Sequence, residues 1–334
     1  MMIDRWIAEA TECDFKVALE VKKPKSWLKS VSAFANGIGG TLFFGIDNDR
    51  NVVGLADAQN NAEAISRLIK ERITPYPSFI LAPEQEDGKD ILVLSVSAGR
   101  STPYYYKADG IMEAYIRIGN ESVIAPSYVL NQLILKGMHR TYDELVSEYD
   151  FKDYAFSKLR ERYKAWTGNS MEEKLFDSFD MRDEHGKLTN AGALLADDSP
   201  IRHSRLFCTR WNGLDKSGGM VDALDSAEFS GSLIILLNEG VSFVKRNMKT
   251  RWKKTADSRI EMPDYCERSV FEALVNALIH RDYLILGSEV HIDIYDDRLT
   301  IYSPGGMADG TRIQERDLSS ISSMECIILS VNDT

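Results

Sequence analysis

The sequence predicts an α+β fold, in which strands and helices mix without a strict strand–helix–strand repeat. Two patterns carry the prediction. Short runs rich in β-branched and aromatic residues recur near 41–46, 91–97, 114–118, 206–211 and 290–302. Between them lie stretches with helical apolar spacing, at 26–35, 62–73, 233–243 and 271–283. No internal repeat and no low-complexity tract is present.

Taken in order, residues 14–21 alternate like a strand. Residues 26–35 form a helix with Trp27, Leu28, Val31, Phe34 and Ala35 on one side. Asn36-Gly37-Ile38-Gly39-Gly40 ends it, because glycine relieves the left-handed caps of such turns. A buried strand follows at 41–46, then a polar turn Asp47-Asn48-Asp49-Arg50-Asn51 and a return strand from Val52. A second helix covers 62–73 and stops at Pro75 and Pro77. Residues 79–83 and 91–97 read as a hairpin around Asp87-Gly88, and 114–118 as a closing strand. From 127 to about 179 the pattern is charged and mainly helical. Pro, Gly and Ser are sparse there, so it reads as a helical connector rather than a flexible linker. A second globular part opens at Thr189, with a strand near 206–211, a long helix near 233–243, a helix at 271–283 and a strand pair around Asp296-Asp297. The expected division is 1–135, a connector 136–184, and 185–334.

The chain has 334 residues, room for about two domains that each bury a core. Its net charge is -11, which speaks against a protein that coats nucleic acid over its whole surface. Two local basic clusters stand out: Lys16, Lys22, Lys23, Lys25 and Lys29, and Lys245, Arg246, Lys249, Arg251, Lys253 and Lys254 around Trp252. Such runs are usually solvated faces. Cys13, Cys208, Cys266 and Cys326 are scattered without a C-x-x-C pair, which fits neither a zinc site nor a disulfide framework and suits a reducing cytoplasm. No run of eighteen apolar residues occurs, so no membrane partner is expected.

The helix at 271–283 places Glu272 and Asn276 four residues apart on one face. A carboxylate can take a proton from water, and an amide oxygen can hold a hard cation beside a phosphate. An ordinary helix whose polar residues face water has the same spacing. Asp47, Asp49 and Asn51 imitate the opening of a calcium loop. Val52 replaces its glycine and Ala58 its bidentate glutamate, so that reading is rejected.

Residues 5–135 resemble the AlbA-2 domain, a bacterial relative of the Schlafen core. The matching words are Asp14-Phe15-Lys16, Phe34-Ala35-Asn36 with Gly39-Gly40, Phe43-Phe44-Gly45-Ile46-Asp47, Val53-Gly54-Leu55 and Tyr115-Ile116-Arg117-Ile118-Gly119. Residues 185–315 resemble the divergent ATP-binding module of bacterial transcriptional regulators and RecG-helicase-like proteins, a relative of the GHKL (Bergerat-fold) ATPases. The matching words there are Leu188 to Leu195, Cys208-Thr209-Arg210-Trp211, Glu272 to Tyr283, and Asp297-Arg298-Leu299 through Ser303-Pro304-Gly305-Gly306.

The resemblances imply a mixed-sheet Schlafen-like domain followed by a Bergerat-like α/β sandwich. In the second, Glu272 falls where the family activates water and Asn276 where it helps hold Mg²⁺. Ser303, Gly305 and Gly306 stand where an Asp-x-Gly-x-Gly loop would read adenine, without its Asp, and Met324 to Leu329 supply no lid glycines. Weak ATP binding without turnover is therefore the expectation. In the first, Glu9, Asp14 and Asp47 take the places of three acids that bind Mg²⁺ or Mn²⁺ and cut RNA in Schlafen-type nucleases. Lys16, Lys22, Lys23, Lys25 and Arg117 are the candidate phosphate contacts. The reading is a cytoplasmic, homo-oligomeric transcriptional regulator that binds DNA or RNA and a nucleotide. A metal-dependent nuclease and an interaction protein with relic sites are its rivals.

Overall fold

The computed structural model describes residues 11–216, 221–305 and 326–330. Glu9 and Gly306 lie outside the described residues. The chain divides into two compact units, 1–141 and 142–334.

In the first unit the order is β1 (Cys13–Lys16), α1 (Lys25–Asn36), β2 (Gly39–Phe44), α2 (Ala58–Arg72), β3 (Ile73–Thr74), β4 (Phe79–Glu86), β5 (Lys89–Ser97), β6 (Tyr105–Ala108), β7 (Ile111–Ile118), β8 (Glu121–Ile124) and α3 (Ser127–Gly137). Two four-stranded sheets form, β1-β2-β5-β4 and β3-β6-β7-β8. In the first sheet β1 and β2 are parallel and the other pairs antiparallel. The period-2 alternation of its strands fills two cores. Leu42, Phe44, Leu92, Leu94 and Val96 join Trp27, Leu28, Val31 and Phe34 of α1. Phe43, Ile91 and Val93 join Cys13 and Phe15 in a smaller cluster.

Helix α1 is buried along almost its whole length, Ser30, Ser32 and Asn36 included. It contacts β2 and β5 of one sheet and β6, β7 and β8 of the other. Its polar residues are therefore obliged to find partners inside. The Asn36 side-chain amide donates to the carbonyls of Tyr104 at 3.0 Å and Tyr115 at 2.9 Å, and its oxygen accepts from the Tyr104 N–H at 2.7 Å. Ser32 Oγ donates to Tyr104 O at 2.6 Å and accepts from the Tyr115 N–H at 3.1 Å. The turn after α1 comes back close under it: a Cβ on Gly40 would sit 2.4 Å from the Phe34 ring.

Several boundaries differ from the sequence reading: β2 is Gly39–Phe44, β5 starts at Lys89 and β7 at Ile111, and three further differences have a visible cause. Strand β1 stops at Lys16, because its ladder runs out. The Lys16 carbonyl accepts from Gly45 and Ile46 N–H, and Gly45 turns away with φ +95°. Strand β4 runs through Pro83 to Glu86, which it tolerates as an edge strand. Helix α2 begins at Ala58 because Asp57 caps it, accepting from the Asn60 N–H at 3.0 Å.

The second unit contains β9 (Val146–Asp150), a 3-10 turn at Phe151–Asp153, α4 (Ser157–Thr167), α5 (Lys174–Ser178), β10 (Lys187–Thr189), α6 (Asn190–Leu195), β11 (Arg205–Trp211), β12 (Ala223–Ser230), α7 (Leu233–Asn247), β13 (Thr250–Lys254), β14 (Arg259–Pro263), α8 (Glu267–Ile279), β15 (Val290–Ile294), β16 (Arg298–Tyr302) and β17 (Cys326–Ser330). Its main sheet has the order β12-β11-β15-β16-β17, with β11 and β15 parallel. Helices α7 and α8 pack on it through Leu236, Phe243, Leu274 and Leu278. Residues expected as a helical connector hold α4, α5 and strand β9, which pairs with β10. Phe156, Phe176, Met181 and Leu188 give that region a core of its own.

Replacing Asn36 with Ala strands the Tyr104 N–H and the Tyr115 carbonyl inside the unit. The first unit's transition in urea is expected to move to lower denaturant, by roughly 2–4 kcal/mol for two orphaned buried groups. An unchanged midpoint would contradict the role given to Asn36.

Candidate functional site

In the first unit, most of the candidate charged residues are engaged with one another. Asp14 is buried on β1 opposite Leu42. One carboxylate oxygen accepts from Lys16 Nζ at 2.5 Å and the other from Ser30 Oγ at 2.5 Å. Ser30 also accepts from Ser122 Oγ at 3.1 Å, Ser122 accepts from Arg117 Nη1 at 3.1 Å, and Arg117 Nη2 donates to Cys13 O at 3.1 Å. The Arg117 guanidinium lies over the Phe34 ring, 5.3 Å from its centre. The chain Lys16–Asp14–Ser30–Ser122–Arg117 thus ties β1, α1, β7 and β8 together. Among hydrogen bonds, those with a charged member are the stronger ones.

Asp47 follows β2 in a polar turn. Its carboxylate accepts from the Asn51 N–H at 2.7 Å and from Asn51 Nδ2 at 2.9 Å. The Asn51 side chain first, then its backbone N–H, hold the Asp47 carboxyl below its ordinary pKa. This is a local turn clasp of the kind aspartate favours. Asp14 faces Leu42, whereas Asp47 lies three residues past the end of β2. Among the described residues no group of three His, Cys, Asp or Glu is arranged to hold a metal ion. Glu9, the third expected acid, is outside them.

Lys25 opens α1 and bonds Glu113 of β7 at 2.8 Å, while Tyr115 OH donates to the same Glu113 carboxylate at 2.5 Å. Lys25 Nζ also lies 5.9 Å and 6.0 Å from the Tyr106 and Tyr115 ring centres. Glu113, and then Tyr115, push the Lys25 pKa up to about 12, and Lys25 in turn holds the Glu113 carboxyl down. Burial raises the Tyr115 phenol. Sequence reasoning missed Glu113. The signal available was alternation: Glu113, Tyr115 and Arg117 share one face of β7. Lys22 and Lys23 differ from the other candidates. Both are exposed in the loop before α1, and among the described residues neither pairs with an acid.

In the second unit, Glu272 is exposed on α8 and its carboxylate accepts from Arg268 Nε at 2.8 Å, one helical turn earlier. Asn276, half-buried, follows four residues later. The Ser303 hydroxyl, buried at the end of β16, donates to Ala277 O at 2.7 Å. The Asp282 N–H donates to Pro304 O at 2.8 Å. Gly305 has φ +135°, and a Cβ there would meet Asp282 at 3.2 Å. The Ser303–Gly305 turn is thereby fastened beside the part of α8 that carries Asn276. His280, Arg281 and Asp282 close the helix. The Arg281 guanidinium is buried over the Tyr283 ring at 4.7 Å and donates to Ser288 O at 2.7 Å.

Residues 9–126 match the family model described as Schlafen, AlbA_2. The chain carries a Schlafen AlbA_2 domain. Residues 287–328 match the model described as putative ATP-dependent DNA helicase recG C-terminal. That stretch includes Ser303 and Gly305 but not Glu272 or Asn276. Among solved structures the chain is similar to the DIP2311 protein from Corynebacterium diphtheriae, at 18% identity and TM-score 0.42, covering 90% of this chain. The chain spans 62% of that protein's length. It is also similar to the N-terminal domain of a putative ATP-dependent DNA helicase RecG-related protein from Nitrosomonas europaea, at 25% identity and TM-score 0.29, covering 36% of this chain and 86% of that one. No curated protein matches. Among the described residues no helix is long and apolar enough to cross a membrane.

The Lys25–Glu113 pair gives the AlbA_2 domain a signed pH response. The Glu113 pKa is depressed, so its contribution to stability is full above the ordinary value of 4.5 and is lost as pH falls through the lower folded value. The Lys25 pKa is raised, so its contribution is full below 10.5 and is lost as pH rises through about 12. Urea midpoints of wild type and Glu113→Gln should differ at neutral pH and converge in acid. A difference independent of pH would contradict the pairing.

Proposed function

We propose that the protein acts on nucleic acid as a regulator. Its AlbA_2 domain contacts the phosphate backbone and its second unit binds a nucleotide without efficient turnover. The observation that carries the first half is the match of residues 9–126 to the Schlafen AlbA_2 model, which covers every candidate contact of that unit. Lys16 is neutralised by Asp14 and Lys25 by Glu113, while Arg117 is bound into the interior. Lys22 and Lys23 are the exposed cations that remain of the candidate set. They stand just before the N-terminus of α1, where the helix dipole also favours an anion.

The second half is supported by the recG C-terminal match and by the fastening of the Ser303–Gly305 turn to α8. The residues fit a nucleotide in part. Asn276 would offer its amide oxygen to a Mg²⁺ or Mn²⁺ ion carried by the phosphates, and the glycine turn would bring backbone close to the ligand. That cation would supply charge neutralisation at the phosphates. Glu272, placed four residues before Asn276, would orient or deprotonate a water once it exchanged Arg268 for that role. The missing adenine-reading aspartate favours weak affinity.

A metal-dependent nuclease using Glu9, Asp14 and Asp47 is the competing reading of the same domain. It requires Asp14 to exchange Ser30 and Lys16, and Asp47 to exchange Asn51, for a cation. Fluorescence anisotropy with single-stranded and duplex DNA and RNA tests the proposal. Lys22→Glu with Lys23→Glu should weaken binding about tenfold or more near 0.1 M salt and lower the salt slope by nearly two. Affinity unchanged at low salt would remove this corner as the contact. Asn276→Ala should abolish Mg²⁺–ATP binding in calorimetry, and wild-type affinity in that variant would remove the nucleotide site. Mn²⁺-dependent RNA cleavage lost in Asp47→Ala would replace the binding role with the nuclease.

A further inference from the structure

Strands β13 and β14 form a ribbon that, among the described residues, pairs with no other strand. Their register sets Thr250 opposite Pro263, Arg251 opposite Met262, Trp252 opposite Glu261, Lys253 opposite Ile260 and Lys254 opposite Arg259. All of β13 is exposed, as are Arg259, Ile260 and Glu261 of β14. The ribbon from Lys249 to Pro263 holds five cations and two acids, in a chain whose net charge is -11.

Among the described residues, ion pairs account for only part of the charge of this ribbon. Glu261 takes Arg259 at 2.5 Å, Asp264 stands 3.9 Å from Arg251, and Asp296 stands 3.5 Å from Lys249. Among the described residues Lys253 and Lys254 meet no acid. Lys254 lies directly across from Arg259, and like charges in facing positions destabilise a strand pair. An isolated two-stranded ribbon has little stability to spare. Trp252 keeps 52% of its surface exposed, so its ring does not serve the core.

The distribution of charge also restricts the partner. Alternation puts Arg251 and Lys253 on one face of the ribbon, and Trp252, Lys254 and Arg259 on the other. A flat anionic surface would need cations on one face only. A ribbon that is cationic on both faces suits a slot with phosphate along both walls. The major groove of B-form DNA is such a slot: it is about 12 Å wide and admits a two-stranded ribbon. The major groove of A-form RNA is too deep and narrow for side chains to read.

We propose that the β13–β14 hairpin is a second nucleic-acid site, which enters the major groove of duplex DNA. Lys253 reaches phosphates on one wall and Lys254 with Arg259 those on the other, while Trp252 packs against sugar and base edges. The site belongs to the second unit and does not depend on the reading of the AlbA_2 domain.

The test uses the full chain and a labelled duplex of about three helical turns. Lys253→Glu with Lys254→Glu should weaken binding about tenfold or more near 0.1 M salt and reduce the log–log salt slope by nearly two. Duplex RNA of the same sequence should bind more weakly than DNA. Photo-crosslinking with iodouridine-substituted DNA should mark the peptide containing Trp252. That mark should persist in Lys22→Glu with Lys23→Glu, which separates this site from the one in the first unit. Far-UV circular dichroism and the melting midpoint check that the hairpin variant is folded. A folded variant that binds duplex DNA with wild-type affinity and slope would overturn the proposal. So would crosslinks confined to other peptides, equal binding of duplex RNA, or a wild-type chain that does not bind duplex DNA at low salt.

Discussion

The first unit depends on burying a helix that is not entirely apolar. Helix α1 runs between two sheets, and apolar side chains on both sides of it exclude water. Ser30, Ser32 and Asn36 are carried into that interior with their hydrogen-bonding capacity intact. A buried amide left without partners would cost more than its packing returns. Asn36 and Ser32 therefore bind the backbone at Tyr104 and Tyr115, while Ser30 joins Asp14 to Ser122. These bonds have geometric requirements that apolar contacts lack. They fix where β7 lies along α1.

That constraint also governs which charges are available for work. Because β7 is held against α1, Glu113 meets Lys25, and Ser122, the hairpin partner of Arg117, meets Ser30. Asp14 is drawn into the same interior and takes Lys16 with it. Residues that resemble ligand contacts when read along the chain become the internal fastening of the unit. The loop before α1 escapes this, and its lysines stay in solvent. The second unit divides its polar groups in a similar way. Ser303 and Asp282 fasten the glycine turn to α8, whereas the cations of β13 and β14 remain on a ribbon with few acids near them.

Much of this was legible in the sequence. The apolar spacing from Trp27 to Ala35, the run from Thr41 to Ile46 and the pair around Asp296-Asp297 each mark an element that forms. The glycines after α1 mark a turn that only small residues fit. Strand β12 was not legible, because Ala223–Ser230 alternates weakly and becomes a strand only by pairing with β11. Strand β9 was hidden for the same reason: Val146–Asp150 is mostly polar, and its partner lies about forty residues away in β10. The basic cluster around Trp252 was visible as charge but not as a hairpin, since Ile260 and Met262 share their face with Arg251 and Lys253 and no face of the ribbon is wholly apolar. At the candidate sites, spacing identified the residues and could not say which would neutralise each other. Asp14 and Ser30, or Lys25 and Glu113, are brought together by the packing of α1 on both sheets, a long-range event that no local pattern encodes.

Native-state hydrogen exchange of the full chain tests the central claim most directly. The N–H groups of Tyr104 and Tyr115 bond to side chains of α1, outside any strand ladder. If α1 truly fastens the unit, both should exchange only when the unit opens as a whole, with protection equal to that of the Leu92 and Leu94 amides in β5. Exchange of either group orders of magnitude faster than those strand amides would contradict the account.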